Sequence, residues 1–334
     1  MHASQLVMRL GASAICAAGI ANAAYSVKDT FDSTNFFSEF NFFSGDDPTG
    51  GFVEYVSAAA ANLTSLAGYS NNAVYLGVDH VTSNPAGGRS SVRVTSNNAY
   101  THGLFIADIA HMPGSTCGVW PAFWTFGPNW PSSGEIDIIE GVNDQTTNDI
   151  TLHTSASCTM STSGSLGGTK LADPNCNSGN GNNGCGTTTT DTRNYGSGFN
   201  AIGGGVYAMD WTSSHISVYF FPRSDIPADI TSGKPNPSSW GTPTTTFGGS
   251  GCDIDSHFKD HNIVFDTTFC GQWAGQVWDS NQHCKALAPT CNEYVGKNPQ
   301  AFKDAYWMVN SVKVYQDGSA QKRAEGVIPM PFMA

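Results

Sequence analysis

Short segments that alternate apolar and polar residues recur along the whole chain. Because successive side chains on a β-strand point to opposite faces, this alternation predicts strands with one buried face. Turn-forming stretches rich in Gly, Asn and Pro separate them, such as Pro85–Gly88 and Asn180–Gly184. The chain is therefore predicted to be one all-β sandwich with long loops. The clearest alternating segments are Ser91–Thr95, Gly103–Ile109, Thr151–Thr154, His215–Phe221 and Trp307–Tyr315.

The scarcity of charged residues supports the same fold class. Only 13% of the 334 residues are charged, about half the share of roughly 25% that is usual for soluble domains. Low charge with 37 Gly residues favours short strands and turns over a coiled coil or a helical repeat. An aromatic content of 11% excludes intrinsic disorder. The net charge of −12 would repel phosphate backbones, so no nucleic-acid partner is expected.

The first 23 residues resemble a secretory signal peptide. Arg9 precedes an apolar run, Leu10–Ile20, and Ala21–Ala23 has the A-x-A pattern of a cleavage site. The run is too short to span a bilayer, so we expect cleavage near Ala24 and export. Residues 24–316 are expected to form a single domain, and residues 317–334 a tail too short and Pro-broken for a membrane anchor. The product is expected to be secreted, extracellular and free of the membrane.

The cysteine count agrees with an exported chain. Removing Cys16 with the signal peptide leaves eight of the nine cysteines, an even number that allows up to four disulfides. Sequence proximity suggests the pairs Cys176–Cys185 and Cys284–Cys291, although eight cysteines allow 105 pairings.

Two surface features follow from local sequence. The region Thr159–Gly205 reads as a loop of more than 40 residues, and this length predicts an ordered excursion held by disulfides. Asn62-Leu63-Thr64 is an N-glycosylation sequon, so Asn62 is expected on the surface and glycosylated.

Three carboxylates lie within six residues of this charge-poor chain. In a regular strand, Glu135 and Asp137 would point to one face and Glu140 to the other, which would bury part of the charge. One extra residue at Ile138 or Ile139, a β-bulge, would turn all three acids to the same face. The sequence therefore predicts a bulged strand with an acidic face at Glu135-Ile136-Asp137-Ile138-Ile139-Glu140.

Three crowded carboxylates suit a reaction that needs both a nucleophile and a proton donor. Like-charge repulsion raises the pKa of at least one of them, and retaining glycosidases need one ionised and one protonated carboxyl group. We assign Glu135 as nucleophile, Glu140 as acid/base and Asp137 as the group that assists the nucleophile. Two other interpretations are a strand whose acids are only solvated, and a calcium site, for which three carboxylates on one strand are too few.

Other chemistries find less support. The sequence contains no nucleophile elbow, zinc-protease motif, P-loop or dinucleotide fingerprint, so no cofactor is expected. Cys252, His257 and His261 have a spacing that zinc could use, but a cysteine in an exported chain favours a disulfide. No metal is expected.

Tryptophans near the acids could bind sugar. Trp120 and Trp124 are four residues apart and share a strand face, and Trp130 follows a turn just before the acids. Indole rings offer flat apolar surfaces on which the C–H faces of sugars can stack. The alternative for each ring is ordinary core packing.

The segment Gly134–Asn143 resembles the bulged signature of glycoside hydrolase family 16. The sequence is also similar to secreted fungal laminarinases of that family at a Trp-Pro-Ala-Phe-Trp stretch, at Thr151–Thr154, at Phe269–Gly275 and at Ala305–Tyr315. The resemblance implies a concanavalin-like β-jelly-roll sandwich with a single catalytic domain. It also implies retaining endo-cleavage of β-1,3-glucans or mixed β-1,3/1,4-glucans, with the carboxylate roles given above.

The resemblance implies three further substrate-binding residues. Trp273 is similar to a position that lines the glucan cleft. His153 is placed to hydrogen-bond the acid or a sugar hydroxyl, and its alternative is a satisfied polar residue. Arg89 matches a position near the non-reducing side of the cleft, and its alternative is a surface role.

The sequence thus predicts a secreted, monomeric, retaining endo-β-glucanase whose partners are β-glucan polysaccharides and oligosaccharides. A cell-wall transglycosylase would use the same carboxylates but exclude water from the second step. A non-catalytic glucan-binding lectin on the same fold would not need all three acids.

Overall fold

A computed structural model describes residues 25–164, 173–179 and 183–317. The predicted signal peptide and the tail beyond Asp317 lie outside the described residues. Within the described part, no helix is both long and apolar enough to cross a membrane.

Strands dominate the described chain, as the alternation predicts. They are β1 (Tyr25–Asp32), β2 (Phe40–Phe42), β3 (Val53–Tyr55), β4 (Ala67–Ser70), β5 (Ala73–Leu76), β6 (Arg89–Ser91), β7 (Arg93–Tyr100), β8 (Gly103–His111), β9 (Val119–Phe126), β10 (Glu135–Glu140), β11 (Asp149–His153), β12 (Ser161–Ser163), β13 (Cys185–Thr188), β14 (Gly205–Trp211), β15 (His215–Pro222), β16 (Thr245–Gly248), β17 (His261–Phe269) and β18 (Trp307–Asp317).

The helices are short and lie in the connections. They are α1 (Phe36–Glu39), α2 (Ala58–Leu63), α3 (Gly196–Ala201), α4 (Ala228–Thr231), α5 (Ile254–His257), α6 (Gln282–Leu287) and α7 (Cys291–Lys297). A π-helical turn, Gly271–Gly275, follows β17.

Two large antiparallel sheets form the sandwich. One has seven strands in the order β13-β11-β10-β9-β17-β7-β2. The other has nine, in the order β12-β16-β15-β14-β8-β18-β5-β4, with β1 also paired to β18. Strands β3 and β6 form a small parallel pair. This arrangement confirms the predicted all-β sandwich.

The main core lies between the two sheets. Ile136 and Ile139 enter it from β10, and Met209 enters it from β14 of the opposite sheet. The Phe265 and Trp307 rings meet there edge to face, with centroids 5.4 Å apart. Packing one face of the seven-stranded sheet in this way leaves its other face to carry polar side chains.

The eight cysteines of the described chain form four disulfides. The predicted pair Cys176–Cys185 is confirmed, but the predicted Cys284–Cys291 pair is wrong. These two residues lie in different helices, α6 and α7, and each pairs with a distant residue. The remaining bonds are Cys117–Cys284, Cys270–Cys291 and Cys158–Cys252.

Disulfides anchor the long region that begins at Thr159, as predicted. The Cys158–Cys252 bond anchors its start, and the Cys176–Cys185 bond closes a loop within it. It is less bare than expected, because it also contains strands β12 and β13 and helix α3. Asn62 is exposed near the end of α2, and its glycosylation stays a prediction.

Candidate active site

Strand β10 carries the predicted bulge. On the neighbouring strand β9, Trp124 pairs with Asp137 and the next residue, Phe123, pairs with Ile139, so Ile138 is the extra residue. All three isoleucines of the strand are buried in the core. The bulge corrects the strand's parity, and the three carboxylates share the opposite face of the seven-stranded sheet.

A buried asparagine closes the gap that the bulge opens. The bulge leaves backbone groups without partners on β11, and such groups need another hydrogen bond. The Asn148 Nδ2 group donates to the Ile138 carbonyl (2.8 Å), and its Oδ1 accepts from the Glu140 N–H (2.9 Å). The Asn148 backbone N–H in turn donates to Thr189 Oγ1 (2.9 Å). Asn148 was not among the predicted site residues, because its role exists only once the bulge has formed.

His153 faces the first two carboxylates. It lies opposite Glu135 on β11, and its Nε2 is 3.1 Å from Asp137 Oδ2 and 3.7 Å from Glu135 Oε1. The Asp137 side chain is almost fully buried, whereas those of Glu135 and His153 keep 16% and 18% of their surface. Glu135 therefore remains accessible to a substrate while Asp137 lies beneath it.

The surroundings make it costly for these carboxyl groups to be ionised together. Burial, with the charge of Asp137, raises the pKa of Glu135 to about 8. Burial and Asp266 raise the pKa of Asp137 well above its usual range, and burial and Asp137 do the same for the pKa of Glu140. Neighbouring carboxylates that resist joint ionisation provide the unequal proton distribution that acid and nucleophile roles require.

Trp120 orients the third carboxylate. Its indole Nε1 donates to Glu140 Oε1 at 2.8 Å. The Trp273 ring meets Trp120 edge to face, with centroids 5.5 Å apart. The predicted aromatic residues Trp120 and Trp273 are thus brought together beside Glu140.

Trp273 is presented on the π-helical turn after β17. The turn is fixed by Asn143, whose Nδ2 donates to the Ala274 carbonyl (3.0 Å). The Asn143 Oδ1 accepts from the Gly118 N–H (2.8 Å), which ties the turn to the start of β9. The Cys270–Cys291 disulfide anchors the residue that precedes the turn.

The other two predicted tryptophans lie near Glu135 and Asp137. Trp124 is directly opposite Asp137 on β9. The Trp130 side chain is a hydrogen-bond donor that moderates the raised pKa of Glu135, yet 52% of its surface is exposed. An exposed indole next to a carboxylate is available for stacking against a sugar ring.

An arginine and a fourth carboxylate extend this face beyond the predicted residues. Arg93 on β7 pairs with Asp266 on β17, and its guanidinium lies 4.8 Å from the centroid of the Trp124 ring. Asp266 accepts from the Tyr55 hydroxyl (3.2 Å), and burial raises the pKa of Asp266 to about 6. Both residues are distant from the acidic motif in sequence, so only the strand order reveals them.

Arg89 does not have the predicted substrate-binding position. Its side chain is fully buried, and its Nη1 donates to the backbone carbonyls of Asp79 and Thr82 (3.0 and 3.2 Å). Its Nη2 donates to the Val295 carbonyl. These bonds give Arg89 a structural role in joining loops, and they leave no accessible surface for a sugar.

Three clusters of the described residues have side chains of the types that bind metal ions. In the clusters around His257 and His283, the cysteines are in disulfides, so their sulfurs are not free to act as ligands. The zinc alternative for Cys252 is therefore wrong. The third cluster is Glu135, Asp137 and His153, which belongs to the acidic face described above.

The raised carboxyl pKa values predict how stability depends on pH. The pKa values of Glu135 and Asp266 are about 8 and about 6 in the folded chain but about 4 in the unfolded chain. At a pH between a group's unfolded and folded pKa values, the folded chain binds more protons than the unfolded chain does. The free energy of unfolding should therefore fall as the pH rises through that range. His261, whose pKa burial lowers to about 4, opposes this trend only below about pH 6.5.

Urea unfolding at pH 6.5 and pH 8 checks this expectation. Glu135→Gln should be more stable than the parent at pH 8, and between the two pH values it should lose about 2 kcal/mol less than the parent does. The surface substitution Glu54→Gln should leave the loss unchanged. A parent stability that rises from pH 6.5 to pH 8 contradicts the assigned shifts.

Sequence comparisons identify the chain's relatives. The family model for the XgeA-like catalytic domain of glycoside hydrolase family 16 matches residues 40–315. An endo-1,3(4)-β-glucanase of Arthroderma benhamiae is 47% identical over 308 residues, which cover 91% of this chain and 67% of that protein. A probable endo-1,3(4)-β-glucanase of Aspergillus fumigatus is 48% identical over 88% of this chain and 46% of its own length. The chain thus spans between about half and two thirds of these relatives.

Solved structures agree with the sequence relatives. Laminarinase 16A from Phanerochaete chrysosporium, with 6-O-glucosyl-laminaritriose in donor and acceptor sites, is 43% identical with a TM-score of 0.82, over 88% of this chain and all of that one. An elongating family 16 β-1,3-glucosyltransferase is 46% identical with a TM-score of 0.81, over 87% of this chain and all of that one. With the family model covering the seven-stranded sheet, most of the nine-stranded sheet and the bulged acidic strand, this chain belongs to glycoside hydrolase family 16.

Proposed function

We propose that the chain is a retaining endo-β-glucanase that cleaves β-1,3-glucans and mixed β-1,3/1,4-glucans. The observation that carries the proposal is the bulged strand β10, which gathers three crowded carboxyl groups with raised pKa values on one sheet face beside accessible tryptophans. A lectin would gain nothing from burying carboxylates at such cost. The glucanase relatives support the same reaction class.

The proposed reaction has two steps. Glu135 attacks the anomeric carbon while Glu140 protonates the glycosidic oxygen, so the C–O bond to the leaving sugar breaks and a glycosyl ester forms. Glu140, now ionised, takes a proton from water as the water oxygen attacks the anomeric carbon, and the bond between that carbon and the Glu135 oxygen breaks. The hydrogen bond from Trp120 holds Glu140 in place, and Asp137 with His153 orients Glu135.

Substrate binding is proposed for the aromatic residues around the acids. Trp130 offers an exposed ring, and Trp273 and Trp124 offer partly exposed ones. Arg93 replaces Arg89 as the proposed arginine of this face. The glucan ligands of the P. chrysosporium laminarinase support β-1,3-linked substrates.

The wider setting is proposed from the same observations. We propose one catalytic domain over residues 24–316, since β1 pairs with β18 and so belongs to the main sheet. Four disulfides favour an extracellular protein. The monomeric state stays a prediction that analytical ultracentrifugation can check.

Reducing-sugar release from laminarin, lichenan, cellulose and xylan, measured side by side, tests the proposed activity. We expect release from laminarin and lichenan, and little from cellulose or xylan. Glu135→Gln serves as the inactive control. Binding of laminarin without release of reducing ends would favour the lectin interpretation instead.

Glucosyl transfer is a second candidate function. Its support is the 46% identity to an elongating β-1,3-glucosyltransferase. The same carboxylates would serve, with a sugar hydroxyl in place of water in the second step. The lengths of the products from laminarin distinguish the two: short oligosaccharides indicate hydrolysis, and products longer than the substrate indicate transfer.

A further inference from the structure

The His153 ring lies between the carboxylates and a serine from another part of the chain. On one side, Nε2 faces Asp137 Oδ2 at 3.1 Å and Glu135 Oε1 at 3.7 Å. On the other side, Nδ1 lies 2.8 Å from the Ser178 hydroxyl oxygen. Both ring nitrogens therefore have polar neighbours. Nε2 faces carboxyl oxygens, whereas Nδ1 faces a hydroxyl group that can either donate or accept a hydrogen bond.

The carboxylates decide which nitrogen carries the proton. Each carboxyl group keeps at least one acceptor oxygen whether or not it holds a proton, so an imidazole with its proton on Nε2 has acceptors to face on this side. Nδ1 is then an acceptor and needs a donor. The Ser178 hydroxyl can supply that donor, because a hydroxyl hydrogen rotates to suit its partner.

The loop that carries Ser178 is fixed on both sides of His153. The Ser178 N–H donates to the Thr154 carbonyl (2.9 Å), and the Thr154 N–H donates to the Cys176 carbonyl (2.8 Å). The Cys176–Cys185 disulfide closes the loop, and Cys185 pairs with Leu152 across β11. The residues immediately before and after His153 are thus both bonded to this disulfide-closed loop.

A glycine permits the close approach of the loop to the ring. Gly184 has a φ of +79°, and a Cβ there would lie 2.7 Å from His153 Nδ1 and 2.4 Å from the Leu152 carbonyl oxygen. A larger residue would push the loop away from β11. Backbone conformation, disulfide and hydrogen bonds all place the loop against this histidine.

We propose that Ser178 is a positioning residue of the active site, which fixes the tautomer and orientation of His153 so that the proton stays on Nε2, the ring nitrogen on the side of Asp137 and Glu135. The inference rests on the proposed glycosidase function. Ser178 itself does not touch the reacting atoms, and it acts only through His153. The part of the disulfide-closed segment that holds Ser178 in place, through the backbone bonds of Cys176 and Ser178, thereby serves the active site.

Long-range ¹H–¹⁵N NMR spectra test the tautomer directly. The His153 signals, assigned by their loss in His153→Gln, should show an Nε2–H tautomer in the parent and a mixture in Ser178→Ala. Ser178→Thr keeps the hydroxyl and should retain the parent pattern. An Nδ1–H tautomer in the parent, or a spectrum unchanged in Ser178→Ala, overturns the proposal. This measurement needs no substrate, so its result is separate from the fate of the proposed function.

Kinetics on laminarin provide the second test. Ser178→Ala should lower kcat by about 3- to 15-fold, as expected for the loss of one hydrogen bond, with KM little changed. Ser178→Thr should restore kcat, and the exposed Ser163→Ala on β12 should have no effect. In a His153→Gln background, Ser178→Ala should cause no further loss. Additive losses in the double variant would mean that Ser178 acts independently of His153, and would overturn the proposal.

Discussion

Replacing Glu135 with Gln should lower kcat on laminarin by about 10⁴-fold or more, as the removal of a nucleophile does in other covalent mechanisms. The amide has nearly the same shape as the carboxyl group but cannot attack the anomeric carbon. Because the Glu135 carboxyl group is partly buried beside other acids, the variant should stay folded and gain stability at pH 8. Circular dichroism checks the fold, and Glu54→Gln on β3 is the matched surface control.

Glu140→Gln should behave differently from Glu135→Gln, since it removes the acid/base instead. On laminarin we expect a loss of about 10²- to 10⁴-fold. On an aryl β-glucoside with an acidic phenol as leaving group, the first step needs no proton, so much of that loss should disappear. Glu135→Gln should remain inactive on both substrates. Equal losses for both variants on the activated substrate would contradict the division of roles.

Azide offers an independent assignment of the two roles. In Glu135→Ala, azide can enter the space left by the nucleophile and attack the activated substrate once, which inverts the anomeric centre and gives an α-glycosyl azide. In Glu140→Ala, azide attacks the glycosyl ester on Glu135, and two inversions give a β-glycosyl azide. The opposite pattern of products would exchange the assignments.

Local sequence was sufficient for the acidic strand. Alternation of acids and isoleucines has a fixed parity, so the only strand that buries no acid in the core contains a bulge, and the structure has it at Ile138. The same local reasoning found the pair Cys176–Cys185. In these two cases the partners lie within about ten residues of each other and are neighbours in the folded chain.

Features that depend on the order of strands in the sheet could not be predicted from local sequence. Arg93 and Asp266 meet because β7 and β17 are neighbours in the sheet, a pairing that crosses most of the domain. Arg89 is only four residues from Arg93 but lies in another strand. Its side chain donates instead to the backbone carbonyls of Asp79 and Val295. The pairing of Cys284 with Cys117 likewise depends on how the loops pack, and proximity in sequence misled the prediction.

Asn148→Ala should lower kcat on laminarin by about 10²-fold, the loss that a shift of about 1 Å in a catalytic group can cause. The side chain is fully buried and satisfies both the Ile138 carbonyl and the Glu140 N–H. Without it, two buried backbone groups lose their partners, and the free energy of unfolding should fall by about 2 to 4 kcal/mol. The backbone of Glu140 is then free to move, and the acid/base moves with it.

The bulge role of Asn148 can be separated from mere destabilisation. Met209→Ala removes a fully buried side chain from the opposite sheet and should cost a similar free energy, about 2 to 5 kcal/mol. Measured well below the unfolding temperature, Met209→Ala should keep near-parental kcat, whereas Asn148→Ala should not. Because Asn148 acts through Glu140, the loss of kcat in Asn148→Ala should be smaller on the activated aryl glucoside than on laminarin. A loss of equal size on both substrates would instead mean that the whole acidic face, and not the acid/base alone, depends on this asparagine.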